Sequence, residues 1–161
     1  MMDPLDRVKE RFADEVLGIH EHAGQRCLDV RRGRILEILR MLRDECGFDV
    51  LADLTAVDYL DRGRPERFCV VYNLCRIRTG ERTRLKAFVP ERDPEIDSAS
   101  GLWKAAPWAE REVYDLFGIR FRGHPGLKRI LLPEAYGGHP LRKDYPLRGR
   151  GERQDFPRYA P

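Results

Sequence analysis

The sequence predicts an α+β fold: a mixed β-sheet of about four strands packed with helices, plus an extended C-terminal tail. Three observations carry that expectation. Helical and strand-like hydrophobic periods follow one another as α-β-α-β-β-β-α, the order of a sheet with helices laid against it. Residues 68–78, FCVVYNLCRIR, are apolar on both alternating faces, the mark of a central strand covered on both sides. From residue 121 onward, glycine and proline interrupt every period. The chain therefore divides into a globular body over 1–120 and an extended, basic Pro/Gly-rich tail over 121–161.

The elements follow in order. Residues 3–19 read as a first helix, with Asp3 as cap, Pro4 in the first turn, and Leu5, Val8, Phe12, Val16 and Ile19 on one stripe. Gly18 and Gly24 loosen the chain before a short strand over 25–30. Residues 34–46 read as a second helix with Ile35, Ile38, Leu39, Leu42 and Cys46 on one face, closed by Gly47 as a left-handed cap. Three strands are expected next, over 48–59, 68–78 and 83–90; Pro90 ends the last because proline gives no ladder donor. A polar loop leads to Ser98, which can cap a short turn, and then to a helix over 107–117 that Gly118 terminates.

The tail holds isolated apolar anchors: Ile130, Leu131, Leu132, Tyr136, Leu141, Tyr145, Leu147, Phe156 and Tyr159. Such a segment is expected to be unable to fold alone, and its spaced anchors read as pegs for another surface. Residues 120–161 carry ten basic and four acidic side chains, so the body is acidic and the tail basic. The partner of a basic tail could be protein or nucleic acid. The acidic Asp144, Glu152 and Asp155 inside the tail weigh against nucleic acid, and salt dependence discriminates the two readings, because phosphate binding weakens steeply as salt rises.

Composition excludes several classes. No run of about 18 apolar residues is present, and the charged start MMDPLDRVKERF lacks a secretory signal, so a cytoplasmic location is expected. Cysteines at 27, 46, 69 and 75 form no C-x-x-C pair, which argues for reduced core thiols rather than a metal or cluster. Neither a phosphate loop nor a G-x-S-x-G elbow occurs.

The charged run Glu110, Arg111, Glu112, Asp115 suggests acid–base work at first sight. On a helix, however, Glu110 and Glu112 point about 200° apart and cannot share a substrate. Arg111 and Asp115 have the spacing of an i,i+4 pair, and acidic residues in a first turn suit the helix dipole. His20 and His22 lack a third ligand. His124 and His139 each precede proline in a glycine-rich turn, where backbone hydrogen bonding is the default and proton relay the alternative. Asp53, Thr55 and Asp58 read as tying a strand end to a turn; Trp103 and Trp108 read as core or interface anchors. A free-standing enzyme using Glu110, Glu112 or His124 is a third reading.

Residues 110–131, EREVYDLFGIRFRGHPGLKRIL, resemble the hallmark segment of the 30 kDa-type (C) subunit of respiratory complex I, the proton-translocating NADH–quinone oxidoreductase. The matching elements are Glu110-Arg111-Glu112, Asp115, Leu116-Phe117, His124 and Lys128 with Ile130-Leu131. The resemblance extends to LADLTAVDY at 51–59, VVYNL at 70–74 and GHPLRKDYPL at 138–147. It implies a non-catalytic peripheral-arm subunit that binds no flavin, iron–sulfur cluster or metal itself, those cofactors lying in partner subunits. It implies two partners that form the quinone site: the D subunit, wrapped by the tail, and the B subunit. Membrane contact is implied only through the complex, on the cytoplasmic side of a bacterial membrane. The hallmark and interface residues it points to are Glu110, Arg111, Glu112, Asp115, Phe117, Gly118, His124, Arg129, His139, Arg142, Lys143, Asp144 and Tyr145. Equivalent subunits of membrane-bound hydrogenases or other quinone oxidoreductases share the pattern.

Overall fold

The computed structural model of the chain describes residues 3–151. The expected Glu152, Asp155, Phe156 and Tyr159 lie outside the described residues. Helix α1 (Pro4–Arg11) starts as the sequence predicts, with the Asp3 carboxylate accepting the Leu5 N–H at 2.8 Å. It stops eight residues short of Ile19. The Val16–Ile19 part of the stripe belongs instead to strand β1 (Val16–His22), hairpinned to β2 (Gln25–Arg31). The turn between them is Ala23-Gly24, both with positive φ, the primed turn that matches strand twist. Alanine rarely adopts that conformation, so the hairpin carries no sequence warning.

Helix α2 (Ile35–Asp44) leads to β3 (Val50–Asp58), β4 (Phe68–Arg76) and β5 (Glu81–Val89). The main sheet has five strands in the order β1-β2-β5-β4-β3, one more than expected. Only β2 and β5 run parallel; the other neighbours are antiparallel. A separate two-stranded parallel pair joins β6 (Glu95–Asp97) to β7 (Arg120–Arg122), and Arg120 and Arg122 bind Glu95 and Asp97 across it. Three-residue strands are too short to leave a period, which is why neither is legible in sequence. Strand β7 also spans the expected boundary between body and tail.

Helix α3 (Ala106–Phe117) packs with α1 and α2 into one core. Leu5, Val8, Ile38, Leu42, Val113 and Phe117 meet Val70, Tyr72, Leu74, Leu85 and Ala87 there. The opposite sheet face carries only the small cluster Cys69, Val71 and Phe88, shielded by Val57 and Tyr59. Strand β4 is therefore apolar on both faces for two different reasons. Helices cover one face; the other is buried by cross-strand neighbours, with Phe88 stacked on Tyr59. β5, not β4, holds the middle of the sheet. Cys27, Cys46 and Cys69 are buried and Cys75 is half-buried; burial pushes the Cys69 thiol up to about 12.

Candidate functional site

The hallmark residues converge where α3 ends and residues 124–146 cross it. This strap contains no helix or strand, yet it is fastened to the body at several points. The match begins at Asp115, on the inward face of α3 and fully buried. Its Oδ2 accepts the consecutive N–H groups of Ile130, Leu131 and Leu132 at 2.9, 2.8 and 2.9 Å. Its Oδ1 lies 2.6 Å from Arg129 Nη1. Three convergent amides form a nest that favours negative charge. Burial raises the Asp115 carboxyl, but the N–H groups and Arg129 outweigh it and hold the group below its ordinary value.

The expected Arg111–Asp115 pair does not form. Arg111 donates to the carbonyls of Lys128 and Arg129 at 3.1 and 2.8 Å and lies over the exposed Trp108 ring. The physical reason is burial. Asp115 is buried against three amide donors, which satisfy its lone pairs better than one half-exposed guanidinium would. Arg129 then continues to the carbonyls of Tyr136 and Gly138, so one side chain pins the strap at three points.

Glu110 is also fully buried but meets no cation. Its Oε1 accepts the Ala99 N–H at 2.6 Å, and its Oε2 is 2.6 Å from Ser98 Oγ. Burial pushes its carboxyl up to about 7. Because α3 begins at Ala106, Glu110 sits beyond the first turn, and the expected dipole role gives way to tethering the loop before the helix. Glu112 faces solvent.

Both strap histidines are locked to backbone. His124 Nε2 lies 3.0 Å from the Pro107 carbonyl while Nδ1 accepts the Gly126 N–H at 2.9 Å, which assigns the proton to Nε2. His139 Nδ1 lies 2.9 Å from the Asp115 carbonyl, and burial lowers its pKa, favouring the neutral ring. Gly118 closes α3 with φ +75°, as the sequence predicts. It does more than cap. A Cβ there would stand 2.6 Å from His139 Nε2 and from Arg142 Nη2.

A second fastening holds the far end of the strap. The buried carboxylate of Asp58, at the end of β3, accepts the Leu60 and Lys143 N–H groups at 2.9 and 2.8 Å. It also takes a two-pronged contact from Arg67 at 3.0 and 2.8 Å. Arg67, only 6% exposed at its side chain, turns as well to Asp144 and Glu91. Burial raises the Asp58 carboxyl, but these donors prevail and hold it below its ordinary value. Arg142 Nε donates to the Phe117 carbonyl at 2.6 Å, and Leu141 N–H to that of Leu116 at 3.1 Å. Tyr145 and Tyr136 share a hydroxyl contact of 2.6 Å. The expected strand-end role of Asp58 holds; sequence reasoning misses Arg67 because nothing in its own neighbourhood marks it.

Chemically, the arrangement fastens the strap to the body. Asp58, Glu110, Asp115, His124 and His139 are each occupied by protein donors or acceptors. Among the described residues, no group of three or more His, Cys, Asp or Glu could hold a metal ion, and no helix is long and apolar enough to cross a membrane.

The family model of the respiratory-chain NADH dehydrogenase 30 kDa subunit matches residues 28–151. The chain is 50% identical over 143 residues to the C subunit of NADH-quinone oxidoreductase from Citrifermentans bemidjiense, covering 89% of this chain and 88% of that one. It is 48% identical to the protein of the same name from Geobacter sulfurreducens, over the same shares. Among solved structures, it resembles the trypsin-resistant fragment (1–134) of Nqo5 with a TM-score of 0.69 and 38% identity, covering 78% of this chain and all of that one. A chain of the archaeal membrane-bound sulfane sulfur reductase aligns with a TM-score of 0.73 and 25% identity, covering 89% and 84%. The chain belongs to the respiratory-chain NADH dehydrogenase 30 kDa subunit family.

Proposed function

We propose that this chain is a non-catalytic, structural subunit of a proton-translocating NADH–quinone oxidoreductase. In this reading it stands in the peripheral arm on the cytoplasmic side of the membrane. It supports the quinone-site D subunit, with the B subunit close by. The flavin and iron–sulfur clusters belong to partner subunits. One observation carries the reading: the hallmark acids Glu110 and Asp115 are both fully buried and turned to the chain's own loops. Groups consumed in that way position a scaffold and are not themselves free to meet a substrate. The relatives that share the name of the oxidoreductase support the same reading.

The strap and the residues after it serve as the clamp on the partner. Purification of the tagged chain from membranes in gentle detergent tests this directly. It is expected to bring the other subunits of the oxidoreductase with it, and deletion of residues 133–161 is expected to abolish pairing while the body stays folded. A truncated chain that still assembles and supports quinone reduction overturns the clamp. The likeness to a chain of the sulfane sulfur reductase favours a second reading, an equivalent subunit of a related respiratory membrane complex. The identities of the co-purified subunits separate the two.

A further inference from the structure

The strap holds two half-buried arginines, and they differ in one respect. Arg129 meets the Asp115 carboxylate at 2.6 Å. Arg142 meets no carboxylate among the described residues. Acids are near, but Arg67 takes them: Asp58 in two-pronged fashion, Asp144 and Glu91. The two guanidinium groups share the Phe68 ring, at 4.9 Å for Arg67 and 5.1 Å for Arg142. Burial and the Arg67 charge both disfavour the cation on Arg142, and its pKa lies below the ordinary value. A guanidinium nevertheless stays charged.

Arg142 is also held in place. Its Nε is bonded to the Phe117 carbonyl, its face lies against Phe68, and Nη2 rests where a side chain at Gly118 would be. The neighbouring Leu141 is 50% exposed. A fixed planar fork beside exposed apolar surface is the form that arginine takes at the centre of protein interfaces. Preorganisation removes the ordering penalty that a free arginine would face.

We infer that the terminal nitrogens of Arg142 receive a carboxylate side chain of a neighbouring subunit, with Leu141 as the adjoining apolar contact. The inference rests on the subunit reading above and names the chemistry of its contact. A single carboxylate fits better than a phosphate, because Asp58, Asp144 and Glu91 already surround the site and would repel a more highly charged anion. Forked arginine–carboxylate pairing supplies both strength and register.

Arginine modification by phenylglyoxal, followed by peptide mass spectrometry, tests it on the purified complex and on the isolated chain. Arg142 is expected to react in the isolated chain and at least tenfold more slowly in the complex, while Arg67 stays protected in both. Arg142→Gln is expected to speed dissociation from the complex by ten- to a hundredfold, with Arg142→Lys in between, beyond any fall in the urea midpoint of the isolated chain that loss of the Phe117 bond brings. If Arg142→Gln unfolds the isolated chain, the modification rates of the native protein decide. Equal Arg142 reactivity in complex and isolated chain overturns the inference, as does unchanged dissociation of a folded Arg142→Gln variant. A chain that purifies alone from its host overturns this inference and the subunit reading together; a complex with reactive Arg142 overturns only the inference.

Discussion

Asp115 and Arg129 are fourteen residues apart in the chain and 2.6 Å apart in space, and with them the strap is seated on α3. The same carboxylate gathers three successive amides from residues that carry no regular secondary structure. Asp115→Ala would leave a half-buried guanidinium and three amides without their anion. Losing one partner of such a buried pair costs about 3–5 kcal/mol. Asp115→Asn keeps the shape but loses the charge, and is expected to fall between Ala and the native residue. Amide exchange at Ile130, Leu131 and Leu132 reads this directly. Protection that survives in Asp115→Ala would show that the nest does not depend on the carboxylate.

Glu110 predicts a pH dependence of the opposite sign to most acids. Its carboxyl is raised to about 7 in the folded chain, so the unfolded chain releases the proton first as pH rises. Stability is then highest below the ordinary glutamate value and falls as pH climbs towards 7, by roughly 3 kcal/mol at about 1.4 kcal/mol per unit. Glu110→Gln should flatten that slope between pH 5 and 7, as measured by urea unfolding. An unchanged slope in the variant would place the effect elsewhere.

At the acid end the sign reverses. Asp58 and Asp115 are held below their ordinary values, so what they contribute is present near neutrality and is lost as pH falls through their folded values. Below about pH 4, the strap should come off before the sheet melts. Pulsed amide exchange after an acid jump is the check: strap amides should label ahead of those in β4 and β5. Simultaneous labelling would mean that strap and sheet open as one unit.

Gly118 and Gly47 both have positive φ, +75° and +76°, but side chains crowd Gly118 far more closely than Gly47. A left-handed non-glycine residue alone costs about 1 kcal/mol. At Gly47 the nearest atom to a new Cβ is Arg76 Nε at 3.7 Å, so Gly47→Ala should cost little more than that. Gly118→Ala must also displace His139 and Arg142 from 2.6 Å, and should cost at least about 1–3 kcal/mol further, as overpacking does. Equal unfolding midpoints for the two variants would refute the close approach.

Much of this was legible in the residues. The Asp3 cap, the α2 stripe, the three long strands and the Gly118 stop each rest on local signals, and each stands within a few residues of its expected place. The β1–β2 hairpin was hidden by a coincidence. Val16 and Ile19 continue the helical stripe of Leu5, Val8 and Phe12, although a strand places them against Val30 and Leu28. The strap was hidden for another reason. Its partners, Asp115 and Asp58, lie up to 85 residues away, and a hydrogen bond at that range leaves no period in the sequence. Composition registered only what the strap lacks, its own core, and not the acceptors waiting elsewhere in the body. The family motif did single out Asp115, His124 and His139, but their roles required coordinates.

Because the strap is tied at two separated points, to α3 through Asp115 and to β3 through Asp58, it behaves as a chelating ligand of its own body. When either tie opens, the other keeps the loosened end at a high effective concentration and re-forms the first quickly. Lasting release would require both to open together, so a binding partner meets a surface already arranged rather than a chain still to be ordered.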